Sequence, residues 1–314
     1  MRRVTLSHGN AIVFDLPPKG FDPLKASAAD LARFGFPSVP EGSRHRSRLQ
    51  RALQQLGPGF QMITPEFQVL PNKGSGPRRH GFVAGTEEGT IWSGAVVTPG
   101  SGGFKWIEGD WVVPNVAPID DRTATFAAWI GIDGDGQKGS GDQVFQAGVI
   151  LTCKRSGSSI TVQCQPFWEW FPDPPVVISN FSVNPGDLLS VVLCSRNGPG
   201  STEGTVFFAN HSTGIGTSAG FSAPDGIALK GLTAEWVVEV LNDLSKGVQL
   251  PFPDYGEVFF GNCEAMTTSG TSVFGGTGDN IVAFGVESLA VLSEGILVAP
   301  SIVKCLYVGA IPPA

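Results

Sequence analysis

From Ile91 to the C-terminus the chain is written in short runs of β-branched and aromatic residues, broken by Gly, Pro, Asn and Asp. WSGAVVT, FKWIEGDWVVP, TFAAWIGI, QVFQAGVIL, ITVQCQPFWEW, DLLSVVLC, GTVFFAN, AEWVVEVL and GVESLAVL follow one another in this way. Runs of that kind, about 8 to 12 residues apart, suit antiparallel strands packed as two sheets. The 42 Gly and 24 Pro, with only 16% charged residues, fit many turns and little helix. The expected fold is therefore all-β, an antiparallel two-sheet β-sandwich over residues 91–314, without internal repeats. A shorter, partly helical segment precedes it.

Ala127 to Asp173 reads as three strands joined by a Gly/Asp loop and a Ser/Gly turn. Side chains two apart on a strand share a face. Along Thr161–Phe171 one face then holds Thr161, Gln163, Gln165, Phe167, Glu169 and Phe171, and the other holds Val162, Cys164, Pro166, Trp168 and Trp170. A face that mixes amides, a carboxylate and phenyl rings makes a poor sandwich core but a good lining for a polar cleft. Ala234–Leu241, AEWVVEVL, reads as a strand despite its four-residue Glu spacing, because Val and Trp dominate it. Alternation puts Glu235, Val237, Glu239 and Leu241 on one side.

Residues 1–90 carry 12 Lys/Arg against 7 Asp/Glu, a balance of +5, and residues 91–314 carry 9 against 21, a balance of −12. All seven Trp lie between Trp92 and Trp236, so composition also breaks near residue 90. Nucleic acid and anionic membranes would repel the acidic part and are not expected partners. In the front segment Asp22–Phe34 has a capping Asp, a Pro at the first helical position and Gly35 after it, which predicts a helix. Glu41–Leu56 predicts a second helix with a basic face, and Met62–Thr90 reads as extended chain and loops.

Familiar catalytic and metal signals mostly fail. Gly216–Gly220 spells GTSAG with His211 nearby, but the flanks of Ser218 look like a hairpin and not the strand-to-helix elbow that a nucleophile needs. Asp133-Gly134-Asp135 opens like a calcium loop, yet Gln137, Lys138 and Val144 sit where ligands belong, so a turn is expected. One imperfect GGTGDN at Gly275–Asn280 carries no weight. The five Cys show no CxxC pair and no nearby His, which gives zinc no support. No DTG or DSG is present. What remains is carboxylate and amide chemistry.

The order WSGAVV, AWIGIDGD, VFQAGV, FWEWFPD, VNPGDLLSV, AEWVVEV and PFPDYGEVFFGNC resembles the eqolisins, the glutamic peptidases, over essentially all of residues 91–314. The resemblance implies a concanavalin-like sandwich whose sheets bend into a cleft, hydrolysis of proteins in acid by a Gln and a Glu, and no cofactor or metal. Carried over by motif, the catalytic pair is Gln146 of VFQAGV and Glu239 of AEWVVEV. Trp129, Asp133 and Glu169 match positions that line or support the site. Where family members often have Trp two residues before that last Glu, this chain has Phe167, which changes the shape of an apolar wall. The resemblance further implies that residues 1–90 are a basic propeptide that keeps the enzyme inactive.

Amide hydrolysis requires a base for the water, a proton for the leaving nitrogen and a donor for the oxyanion. One Glu can serve as base and then acid, and a Gln amide both accepts and donates. A Glu with an ordinary value of about 4.3 works as a base only in moderately acidic water. The expectation is an endopeptidase acting on protein and peptide substrates, as a monomer. The alternative is a non-catalytic sandwich that binds carbohydrate or protein through a Trp-lined cleft. Acid chemistry and the resemblance point to an extracellular protein, although the Met-Arg-Arg start lacks the apolar run of a secretion signal.

Overall fold

The computed structural model describes residues 1–37, 60–71, 73–74, 91–140, 143–243, 246, 248–285 and 290–311. The front segment contributes β1 (Arg2–Thr5), β2 (Asn10–Val13), α1 (Ala28–Arg33), β3 (Gln61–Ile63), β4 (Phe67–Val69) and β5 (Lys73–Gly74). Then come β6 (Trp92–Val97), β7 (Phe104–Val112), β8 (Ala124–Ile132), β9 (Val144–Ser156), β10 (Ser159–Phe171), β11 (Val176–Ile178), β12 (Leu188–Ser195), β13 (Glu203–Asn210) and β14 (Ile215–Ser222). The chain ends with β15 (Ala234–Val240), β16 (Asn242–Asp243), β17 (Val248–Gln249), β18 (Glu257–Thr267), β19 (Ser272–Phe274), β20 (Asp279–Phe284), β21 (Val291–Ala299) and β22 (Ile302–Ile311).

Two antiparallel layers result. One runs β11-β10-β9-β8-β15-β6-β20. The other runs β2-β14-β13-β12-β7-β18, and β22 and β21 link β18 to β20. Side chains meet between the layers: Trp168 of β10 stacks on Phe221 of β14 with centroids 4.2 Å apart, and Phe145 of β9 lies 5.3 Å from the same ring. The Trp236 indole of β15 donates to the Glu108 carbonyl oxygen of β7 at 2.8 Å. This is the expected all-β sandwich. Its core takes the even-numbered face of β10 and the matching Phe126, Ala128, Ile130 face of β8, which leaves the opposite face of the first layer to the polar residues.

The front segment adds strands to both layers. β2 pairs antiparallel and β3 parallel with β14, and β4 extends the first layer beside β11. β5 pairs with β16, just past the end of β15. The helix expected over Asp22–Phe34 is shorter, because the Asp22 side chain takes the Leu24 N–H at 3.0 Å and its carbonyl the Lys25 N–H at 3.1 Å, closing a turn instead. Ser27 then caps the six-residue α1 by accepting from the Asp30 N–H at 3.1 Å. Gly35 follows at φ 73°, where a Cβ would collide with Phe14 and the Ser218 hydroxyl. The helix expected over Glu41–Leu56 lies outside the described residues.

On either side of Gly35, Phe34 and Phe36, together with Met62, bury against Trp106, Val192, Phe207 and Met266 on the outer face of the second layer. Among the described residues no helix is long and apolar enough to cross a membrane.

Candidate active site

Strand register decides which side chains share a surface. Glu169 of β10 lies opposite Gln146 of β9, Gln146 opposite Gly131 of β8, and Gly131 opposite Glu235 of β15. The next row on that face is Phe167, Gly148, Trp129 and Val237, and the third is Gln165, Ile150, Ala127 and Glu239. Directly paired residues point to the same side of a sheet, so Gln146, Glu169, Trp129, Phe167, Glu235 and Glu239 all occupy the face turned away from the core. Gln146, Glu169, Glu235 and Glu239 are each 0% exposed.

Two hydrogen bonds organise this face. The Trp129 indole N–H donates to Glu239 Oε2 at 2.9 Å. The Gln146 amide Nε2 donates to Glu169 Oε2 at 2.7 Å. Gln146 Oε1 is buried without a hydrogen-bond donor among the described residues. Trp92 of β6 pairs with Glu239 across the sheet and meets Trp129 edge to face, centroids 4.8 Å apart at 81°. Trp129, Trp92, Phe167 and Val237 thus build an apolar wall around the polar groups. Leu70, just after β4, packs against the apolar cluster to which this wall belongs. Its N–H donates to the Pro175 carbonyl at 2.9 Å.

Asp133 sits apart from this constellation. At φ 70° just beyond β8, it accepts the backbone N–H groups of Lys230, Gly231 and Leu232 at 2.8, 3.1 and 2.9 Å, and the Gln143 amide at 3.0 Å. Burial pushes its carboxyl above the usual value, while the three backbone donors pull it back. Its place is to hold the 230–232 loop and Gln143, whose own carbonyl faces the Trp170 indole at 3.4 Å. Ser218 lies within β14, and its hydroxyl oxygen is 2.6 and 2.9 Å from the carbonyl oxygens of Gly35 and Val206, to either of which it can donate. His211 bonds Ser190 at 2.6 Å, not Ser218. A cavity of about 420 Å³ lined by Arg3, Glu203, Asp225 and Ile227 touches none of the residues on the site face. Sequence reasoning placed Glu235 beside Glu239 without assigning it to the site, and it missed Trp92 and Gln143. Period-two alternation and the run of Trp would have found the first two.

Among the described residues no cluster of His, Cys, Asp and Glu is arranged to hold a metal ion. The face offers instead an amide, carboxylates and indoles, all buried, a set suited to proton transfer and hydrogen bonding.

A family profile described as Peptidase A4 family matches residues 90–306. Scytalido-glutamic peptidase, solved with a transition-state analogue inhibitor, is similar at 23% identity and a TM-score of 0.57, over 69% of this chain and 98% of that one. SCP-B, a member of the Eqolisin family solved with the tripeptide Ala-Ile-His, gives 22% identity and 0.54 over the same shares. At those identities the likeness carries the fold alone. Aspergilloglutamic peptidase from Aspergillus niger is 28% identical with a TM-score of 0.51, over 59% of this chain and 99% of that one. No curated protein matches the sequence.

Proposed function

Because the chain belongs to the Peptidase A4 family, the glutamic peptidases, we propose that it cleaves protein peptide bonds in acid, with Gln146 and Glu239 acting on one shared water. Family membership sets aside the reading of a non-catalytic carbohydrate-binding or protein-binding sandwich. In the proposed cycle Glu239 takes a proton from the water as its oxygen attacks the scissile carbonyl carbon. The carbonyl oxygen becomes an oxyanion and accepts an N–H from Gln146. Glu239 then passes its proton to the amide nitrogen, the C–N bond breaks, and the two peptides leave.

The observation that carries this reading is the shared buried face. Its indole-to-carboxylate bond holds Glu239, and its Gln146 amide keeps a second N–H beyond the one given to Glu169. Trp129, Trp92 and Phe167 exclude water around the pair, which strengthens each electrostatic contact. Digestion of casein at about pH 3 to 5 by the wild type and by Gln146→Ala and Glu239→Ala tests the dyad. Each variant is expected to lose about 100-fold or more in kcat, with melting behaviour retained. Wild-type rates in either would discard the mechanism.

The front segment is proposed as the element that keeps the enzyme inactive. Support comes from Leu70, packed on the apolar cluster that includes the site wall, and from β4 and β5, which anchor the chain on both sides of it. An acid-acting peptidase of this kind is proposed to work outside the cell, as a monomer on loosely folded proteins.

A further inference from the structure

We propose that Glu169 is a positioning residue whose ionisation decides which end of the Gln146 amide faces the substrate. This inference rests on the reading of Gln146 as a member of the catalytic dyad, and it adds a control on that residue. The two side chains belong to a directly opposed pair on β9 and β10, both fully buried, with the amide nitrogen 2.7 Å from a carboxylate oxygen.

An ionised carboxylate can only accept hydrogen bonds, so it fixes the amide with Nε2 toward β10 and Oε1 away from it. A protonated Glu169 has an O–H to give. The better partner for that O–H is the amide carbonyl, and a half-turn of the amide would present it. No hydrogen bond among the described residues opposes the turn at the carbonyl end, because Oε1 has no donor there.

The two orientations are not equivalent chemically. Turning the amide exchanges the acceptor that holds the water with the donor that faces the oxyanion. Ionised Glu169 therefore keeps the productive arrangement, and its protonation removes it.

The neighbours of the amide are a ring and further carboxylates. Gly131 lies between Gln146 and Glu235, and a Cβ there would come within 3.2 Å of the Gln146 Cβ and 2.8 Å of the Trp129 ring. The space over Gly131 is taken by the Trp129 ring, which the absent Cβ admits. Among the described residues the titratable groups that the register puts on this face are Glu235 and Glu239 of β15, Asp279 of β20 and, farther along β9, Lys154. Asp133 at the end of β8 turns its carboxyl to the 230–232 loop instead.

The test compares pH profiles of kcat/KM for the acid-treated wild type and for Glu169→Gln and Glu169→Ala. A Gln at 169 accepts from Gln146 at every pH, so this variant is expected to lose a few-fold in kcat and to lack the acid-side fall of the wild type. Glu169→Ala is expected to lose about 100-fold across the whole range. Side-chain amide resonances of ¹⁵N-glutamine-labelled protein, assigned through Gln146→Ala and recorded in a Glu239→Gln background to stop self-digestion, give a readout independent of turnover. The Gln146 amide should shift with pH, and the shift should vanish when Glu169 is also Gln.

An unchanged acid limb in Glu169→Gln, or a Gln146 resonance that does not titrate, overturns the proposal. If Glu169→Gln does not fold, the wild-type side-chain titration decides alone. Full activity of Gln146→Ala would instead defeat the dyad on which the proposal rests, a separate result from failure at Glu169.

Discussion

His211 and Asp133 are pulled in opposite directions by burial. The imidazole is held below its usual value of 6.5 by desolvation, with Asp110 opposing, and its Nε2 lies 2.6 Å from the Ser190 hydroxyl. A base with a lowered folded value stabilises the fold above its unfolded value and loses that contribution as pH falls through the folded one. The Asp133 carboxyl, raised above 3.8 by burial, behaves conversely: its contribution is present in acid and fades as pH rises through the folded value. His211→Gln should therefore destabilise most near neutral pH, and its deficit should shrink in acid, where the wild-type ring must charge. Thermal melts of both proteins over a pH series check this, and a pH-independent difference would refute it. Site residues of this size are legible from sequence only when a local rule places them. The alternation of Phe167 and Glu169 against Trp168 and Trp170, and of Glu235 and Glu239 against Trp236, put these residues on the observed faces. The Asp133 contacts with Lys230, Gly231 and Leu232 span almost a hundred positions, and no periodicity carries that information.

Strands were readable where β-branched and aromatic residues set them, as in β8, β9, β10 and β15. The front segment was harder, because β1, β2, β3 and β4 are only three or four residues long: β2 and β3 take their pairing from β14, β4 takes it from β11, and β1 pairs with β2. Its aromatic residues have a function that sequence alone did not reveal. Phe36 is buried at 3% exposure, packs on Phe207 with centroids 5.5 Å apart, and stacks on Phe21 at 5.8 Å. Truncating it to Ala would leave a cavity over the outer face of the second layer, at a cost of about 3 kcal/mol. Urea denaturation of Phe36→Ala should show that loss with an unchanged m-value. A midpoint equal to that of the wild type would mean that residues 1–37 add nothing to the stability of the sandwich.

Charge and strand pairing compete over the whole molecule. The balance of +5 in residues 1–90 against −12 in residues 91–314 draws the two parts together at neutral pH. Carboxylates protonate below about pH 4, and that attraction then weakens. The ladders of β2 and β3 on β14 and of β4 on β11 do not depend on ionisation, and neither does the aromatic cluster around Phe36. Acid alone should therefore leave the front segment docked through these ladders, Leu70 included, until the connection beyond β5 is cut. Incubation of the intact chain at about pH 3.5 is expected to produce a new N-terminus between residues 75 and 90, where PRRHG and its neighbours connect the two parts. Activity should rise with that cut, and the cleaved front piece should still co-elute with the sandwich on gel filtration until urea separates them. Leu70→Asp should speed activation several-fold, because a charge cannot sit against the apolar cluster of the site face. Full activity of the uncut chain, with no shortening over hours, would make residues 1–90 a permanent subdomain and not a restraint on the site.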